Sequence, residues 1–278
     1  MTDYALQALV DDIPWYHEFD FGNGVKSHPR GVSLQSYHRL QVFLEQQFHQ
    51  VDFRGKSVLD IGCWDGYWSF WAEKHGAARV FATDDSSQNW SANRGLPLAK
   101  ELLRSSVEVD QNLSVYDLSS LNQTFDVIFF LGVFYHLHDP FRAFAEIRHC
   151  CHDNTVVFAE GDAVRSGMPV GNARIGFGRS DIHRFLPANG TLLNMFRSAY
   201  LNVERQHWLD SSRIRQSAKW IHSLLRFRRG YDINRTLIVL RPFRGVNEIH
   251  KYKPPFGLHQ YDDRFAQSSL AVTQSAAA

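Results

Sequence analysis

The stretch VLDIGCWDGYWSF, residues 58–70, sets a short apolar run against a glycine turn and follows it with aromatics. The pattern predicts a strand closing at Asp60, a tight turn opened by Gly62 and Gly66, and the start of a helix. Glycine at these two places lets the main chain approach a ligand with no Cβ in the way. Trp64 stands inside the turn where a third glycine would be ordinary, and it is expected to be tolerated because only the outer glycines come close to the ligand. Asp60 and Asp65 flank the turn, and no lysine follows it as in a phosphate-binding loop. A pyrophosphate would be repelled there, whereas a ligand carrying an ammonium group and ribose hydroxyls gains charge-assisted hydrogen bonds. The turn therefore points to an amino-acid nucleoside.

Outward from this stretch, short apolar runs alternate with helical ones. Strands are expected at 57–62, 79–84, 114–118, 125–132, 155–161, 201–208 and 235–242, with a leading helix in SLQSYHRLQVFLEQQF. Such alternation predicts an α/β fold, a Rossmann-like doubly wound parallel sheet, and the unbroken run Val127–Leu131 suits a strand covered on both faces. Ligands of such sheets lie beyond the strand carboxyl ends. Asp84 and Asp85 close the second run, where a carboxylate can grip a ribose diol, and Asp117 closes the third, where it can accept from an adenine amino group. Cys63, Leu118 and Leu131 adjoin these positions and are counted with Asp60, Gly62, Asp65 and Gly66 as cofactor-binding candidates.

The expected organisation is an N-terminal extension over 1–54, a catalytic domain over 55–242 with cap insertions at about 162–186 and 209–231, and a C-terminal tail over 243–278. Trp15, Tyr16 and His17 are placed to act as a lid. A hydrophobic fraction of 44% supplies a core, and the net charge of +1 gives no global pull toward a polyanion. No apolar run approaches the roughly 18 residues of a membrane span, and the first residues lack a signal-peptide design, so a cytoplasmic location is expected. Three cysteines, Cys63, Cys150 and Cys151, make neither a disulfide framework nor a zinc pattern.

Taken in order, VLDIGCWDG, RVFATD, SVYDL and FDVIFFLGVFYHL resemble the class I S-adenosylmethionine-dependent methyltransferases. The resemblance implies a seven-stranded sheet whose last strand runs antiparallel, and S-adenosylmethionine as cofactor. It would place Asp60, Gly62 and Gly66 around the methionine part, Asp84 on the ribose and Asp117 near adenine. FLGVFYHLHDP, FLPANGTLLNMFRSAYLNVE and NRTLIVLRP are further similar to the subgroup that includes the tRNA wobble-uridine carboxymethyltransferases. There, residues matched by Tyr135 and Arg235 help hold the carboxylate of a carboxylated cofactor. That subgroup's lysine, in a WRKGP motif, has no match: the corresponding region reads NGVKSHPRG, with Lys26 and Arg30. Plain methyl transfer is favoured.

The segment after the fourth strand, LGVFYHLHDP, offers Tyr135, His136 and His138 for proton transfer or substrate contact. Glu160, at the end of the fifth run, can act as a base, orient a substrate group, or pair with an arginine of the 165–184 loop. Catalytic candidates are thus Tyr135, His136, Glu160 and Arg235, and His136, His138 and Asp139 are too few to imply a metal. Between Arg213 and Arg229 stand six basic residues and no acidic one, a stretch able to follow an RNA backbone or to be a solvated helix face. The near-neutral total favours a small-molecule acceptor such as a sugar, a lipid precursor or a natural-product scaffold. A tRNA uridine acceptor is the alternative, and a non-catalytic cofactor-binding protein the third reading.

Overall fold

The computed structural model describes residues 2–31, 33–87, 94–177, 183–209 and 231–266. The chain divides into two compact units, Met1–Val115 with Phe125–Phe130, and Tyr116–Thr124 with Leu131–Ala278.

The first unit carries helices α1 (Asp3–Asp11), α2 (Leu34–Phe48), α3 (Tyr67–Lys74) and α4 (Gly95–Leu103), and strands β1 (Ser57–Ile61), β2 (Arg79–Thr83), β3 (Glu108–Asp110) and all but the last residue of β4 (Phe125–Leu131). β1 pairs in parallel with β2 and β4, and β2 with β3. Ser33 caps α2 by accepting the Ser36 N–H at 3.2 Å. Aromatic rings fill the space between helices and sheet: Phe48 lies 5.1 Å from Trp68, 5.6 Å from Trp71 and 4.7 Å from Phe129, and Phe53 packs 5.3 Å from Trp71. The tryptophans after the glycine turn are therefore core.

The second unit holds α5 (Pro140–His149), β5 (Cys151–Ser166), β6 (Ala173–Ile175), β7 (Phe185–Pro187), α6 (Asn189–Ser198), β8 (Leu201–Trp208), β9 (Asp232–Pro242) and α7 (Asp263–Ala266). Asp139 caps α5 through the Arg142 N–H, with Pro140 at the first turn. β9, the last strand among the described residues, runs antiparallel to both β5 and β8. Seven strands form one sheet in the order β3-β2-β1-β4-β5-β9-β8, a seven-stranded sheet being what the family resemblance implied. Arg148 is wholly buried, its guanidinium 3.7 Å over the Tyr261 ring and donating to the Phe243 carbonyl, so residues 243–266 pack onto this unit.

Two expectations are corrected. No strand forms at 114–118: the third strand is β3, and Val115–Leu121 is a 3-10 turn. Val115 and Leu118 are both buried three residues apart, the repeat of a 3-10 turn rather than a strand, and the Ser119 N–H is satisfied by Glu146 at 2.7 Å. The segment from Val164 to Leu186 is not simply a loop, because β5 runs to Ser166 and β6 pairs with β7 in a small antiparallel sheet. Its strand residues are half-exposed or exposed at β6, which erases the alternation that marks a strand. The basic stretch Arg213–Arg229 lies outside the described residues.

Phe129 is fully buried between Phe48 and Phe53. Phe129→Ala is expected to cost about 3–5 kcal/mol in urea denaturation; a loss under about 1 kcal/mol would show that this aromatic layer is not the core.

Candidate active site

Chemistry-bearing residues gather in two clusters, one in each unit. In the first, the chain leaves β1 through three residues of positive φ within five positions, Gly62 (70°), Trp64 (54°) and Gly66 (82°). Trp64 thus occupies the left-handed region that favours glycine, so the indole is not tolerated freely, as expected above, but carries a backbone cost of about 1–2 kcal/mol. Gly66 is required by its own neighbours: a Cβ there would meet Phe70 Cε2 at 2.8 Å. Its close approach is to protein, and Gly62, half-exposed, is the glycine of the two left open to a ligand. The Gly62 and Cys63 N–H groups both donate to the Thr83 carbonyl, tying the turn to the end of β2.

Asp60 is buried and accepts from the Ser69 hydroxyl at 2.6 Å; burial pushes its carboxyl up to about 7, with Asp84 and Asp65 adding to the rise. Cys63 is buried beside these carboxylates, and burial pushes its thiol well above the usual range. Asp84, mostly buried, stands just past β2 and accepts the Asp85 N–H at 3.0 Å. Asp85 is drawn into a local turn by the Ser87 N–H and hydroxyl.

Asp65 departs from the expected role of ligand contact. Its carboxylate is 2% exposed and accepts the Tyr16 N–H (3.1 Å), the His17 N–H (2.9 Å) and, at 2.5 Å, His17 Nδ1. Residues 13–19 alternate in burial, with Ile13, Trp15, His17 and Phe19 inward, so Asp65 latches an extended segment over the turn. That alternation is legible in IPWYHEF, and it was the missed signal for His17.

The second unit holds Tyr135, Glu160 and Arg235 together. Glu160 and Arg235 sit diagonally across the β5–β9 ladder, and Arg235 Nε and a terminal nitrogen grip the two Glu160 oxygens at 2.5 and 2.7 Å. Glu160 is 1% exposed in its side chain, so the partner imagined in the 165–184 loop is replaced by Arg235. The guanidinium lies 5.7 Å over the Tyr135 ring, and Gly161 lets Phe134 and Tyr135 close on the strand, where a Cβ would meet them at 2.6 and 2.7 Å. His136 is exposed. Two residues that sequence reasoning missed join this cluster: Asp162, paired in register with Arg235, and His183, 2.8 Å from Asp162. No motif marks them, since they meet only through the β5–β7 fold.

The remaining candidates separate from these clusters. Asp117 is not at a strand end; it lies in the 3-10 turn, paired with Arg142 at 3.0 Å and more than half exposed. Leu118 is wholly buried, and its carbonyl accepts the Cys150 thiol, so it offers no surface to a ligand. Leu131, half-exposed, ends β4. Lys26 pairs with Asp20 at 2.9 Å within its own turn, and Arg30 donates to the Asp11 carbonyl. Among the described residues, no group of three or more His, Cys, Asp or Glu could hold a metal ion, and no helix is long and apolar enough to cross a membrane.

A family model described as a methyltransferase domain matches residues 35–207. The tRNA U34 carboxymethyltransferase of Campylobacter hominis is 32% identical over 149 residues, covering 52% of this chain and 50% of that protein. Its counterpart from Pseudomonas aeruginosa is 31% identical over 154 residues, covering 53% and 44%. The chain spans about half the length of these curated relatives. Among solved structures, the N-terminal domain of EvdMO1 in the presence of SAH and D-fucose superposes with a TM-score of 0.59 at 13% identity, covering 87% of this chain and 97% of that one. The cyclase SpnF superposes with a TM-score of 0.54 at 15% identity, covering 77% and 84%. These two share the fold.

Removing the latch acceptor takes away the Asp65 oxygens that accept from the Tyr16 and His17 N–H groups and meet the His17 ring. Asp65→Ala is expected to lower stability by about 3 kcal/mol and to expose residues 12–31 to proteolysis; an unchanged cleavage rate would refute the latch. The raised Asp60 carboxyl makes a second prediction. The native state holds a proton there that the unfolded chain loses first, so its stabilisation is complete below the ordinary carboxylate value of 3.8 and is lost as pH rises through about 7. Asp60→Asn, neutral at every pH, should therefore gain on the wild type by up to roughly 4 kcal/mol between acid and pH 8. A gap that does not grow with pH in parallel denaturant titrations would show that Asp60 titrates normally.

Proposed function

The chain belongs to the methyltransferase-domain family, and from that premise we propose that it transfers a methyl group from S-adenosylmethionine to an RNA uridine. The observation that carries the donor is the pair of buried strand-end carboxylates, Asp60 and Asp84, on an open glycine turn. Their chemistry fits a ligand with an ammonium group and a ribose diol and opposes a phosphate. Asp84 would accept from the ribose hydroxyls, and Asp60 would answer the ammonium charge. The cofactor supplies an electrophilic methyl carbon; the chain supplies position, which in favourable cases is worth about 7–11 kcal/mol of a barrier.

Glu160 favours plain methyl over carboxymethyl transfer. Arg235 already answers a carboxylate with two hydrogen bonds, so the pair is neutral, and a second carboxylate brought to it would meet the charge of Glu160. Lys26 is paired with Asp20 and Arg30 donates to the Asp11 carbonyl, so neither is an uncommitted cation. For the acceptor, curated relatives named as tRNA U34 carboxymethyltransferases support the RNA reading over a small molecule.

Calorimetric titration with S-adenosylmethionine, S-adenosylhomocysteine and the carboxylated cofactor tests the donor. Micromolar binding of the first two, with the third weaker, is expected, and Asp84→Ala should weaken the first two by about 1.5–3 kcal/mol. Preference for the carboxylated cofactor would reverse the Glu160 argument, and wild-type affinity in Asp84→Ala would remove that residue from the site. Label transfer from methyl-labelled S-adenosylmethionine to total tRNA tests the acceptor.

A further inference from the structure

Methyl transfer to oxygen needs a proton acceptor, and of the carboxyl and imidazole candidates named from sequence, Glu160, His136 and His138, none serves, His138 being exposed. Both Glu160 oxygens are held by Arg235, and His136 is exposed. His183 differs. Its Nε2 lies 2.8 Å from an Asp162 oxygen, its ring stands 5.4 Å from that of Tyr135, and the Arg184 N–H donates to the Tyr135 carbonyl at 2.8 Å, holding the segment against the turn. Both side chains are about one-fifth exposed, shielded yet reachable. A carboxylate can only accept, so the bonded nitrogen carries the proton and Nδ1 presents a lone pair. Nδ1 has no hydrogen-bond partner among the described residues.

A base oriented by a third group is the arrangement that activates hydroxyl nucleophiles elsewhere. We propose that His183, positioned by Asp162, removes the proton of an acceptor hydroxyl, and that this chain therefore methylates oxygen. The step balances: the hydroxyl proton passes to His183 Nδ1, the oxygen forms the new bond to the methyl carbon, and the carbon–sulfur bond breaks with its electron pair on sulfur. The imidazolium then returns its proton to solvent. The other charged and titratable groups of the cluster are Asp162 and Glu160 on β5, Arg235 on β9, Tyr135 and His136 on the turn after β4, and the neighbouring Arg184. This inference rests on the methyl-transfer reading but not on RNA as the acceptor.

The test begins without turnover. In the full chain carrying ¹⁵N-histidine, with His183→Gln to assign the signal, the Nε2-protonated form should dominate at pH 8, and Asp162→Asn should weaken that preference. Single-turnover transfer is then followed from methyl-labelled S-adenosylmethionine to total tRNA and to 4-methylumbelliferone, a simple phenol. His183→Gln is expected to slow transfer by about 10²- to 10⁴-fold with cofactor affinity unchanged. Asp162→Asn should slow it less. A proton on Nδ1, or a His183→Gln rate within threefold of wild type, overturns the proposal. Labelling of the phenol but not of tRNA supports the base and overturns the RNA reading; cofactor binding with neither probe labelled overturns the oxygen acceptor.

Discussion

Leaving a parallel strand and entering a helix within five residues forces the backbone into the left-handed region three times, at Gly62, Trp64 and Gly66. Much else in the first unit follows from that constraint. The turn must be tied down, and the Thr83 carbonyl does so by accepting from Gly62 and Cys63, which fixes the end of β1 against the end of β2. Asp60 and Asp84 are thereby brought near enough for the Asp84 charge to oppose ionisation of Asp60. The tight entry also leaves Asp65 buried at the turn, where an unpaired carboxylate would be costly. The N-terminal segment supplies its three donors, and an extension that sequence treats as an appendage becomes part of the turn.

In the second unit the governing fact is electrostatic. A carboxylate as buried as Glu160 must be paired, and the antiparallel ladder provides Arg235 on the neighbouring strand. The same pairing that makes Glu160 affordable in a dry position removes it as a base and removes Arg235 as an uncommitted anion receptor. On the proposal above, proton transfer then falls to His183, whose ring is oriented by Asp162.

How far the sequence carried this reading depends on the range of each interaction. Strands such as β1, β2 and β4 were legible because continuous apolar runs reflect burial on both faces. Val115–Leu121 was misread because five residues of mixed polarity satisfy a strand and a 3-10 turn alike, and the choice is made by Glu146, remote in sequence. Asp60 and Asp84 could be singled out from strand ends alone. Asp65 could not be assigned correctly that way, because its partner His17 is joined to it only by tertiary folding. Trp64 was legible as an anomaly but not as a left-handed residue, since φ is not written in composition.

The cyclase SpnF and the N-terminal domain of EvdMO1 superpose on this chain at 15% and 13% identity, so the fold by itself leaves the reaction open. What narrows it is the division of labour between strand ends. Carboxylates at the ends of β1 and β2 carry the chemistry proposed above to select a cationic, diol-bearing ligand by charge. On β5, Glu160 and Asp162 are two residues apart on one face of the strand, yet their partners give them opposite consequences. An arginine closes the first as a neutral structural pair; a histidine turns the second into the orienter of a base. The difference arises from what β9 and the segment before β7 bring to that face, so the acceptor chemistry of such a fold is decided by the elements added after β4, and that is where this chain and its relatives are to be compared.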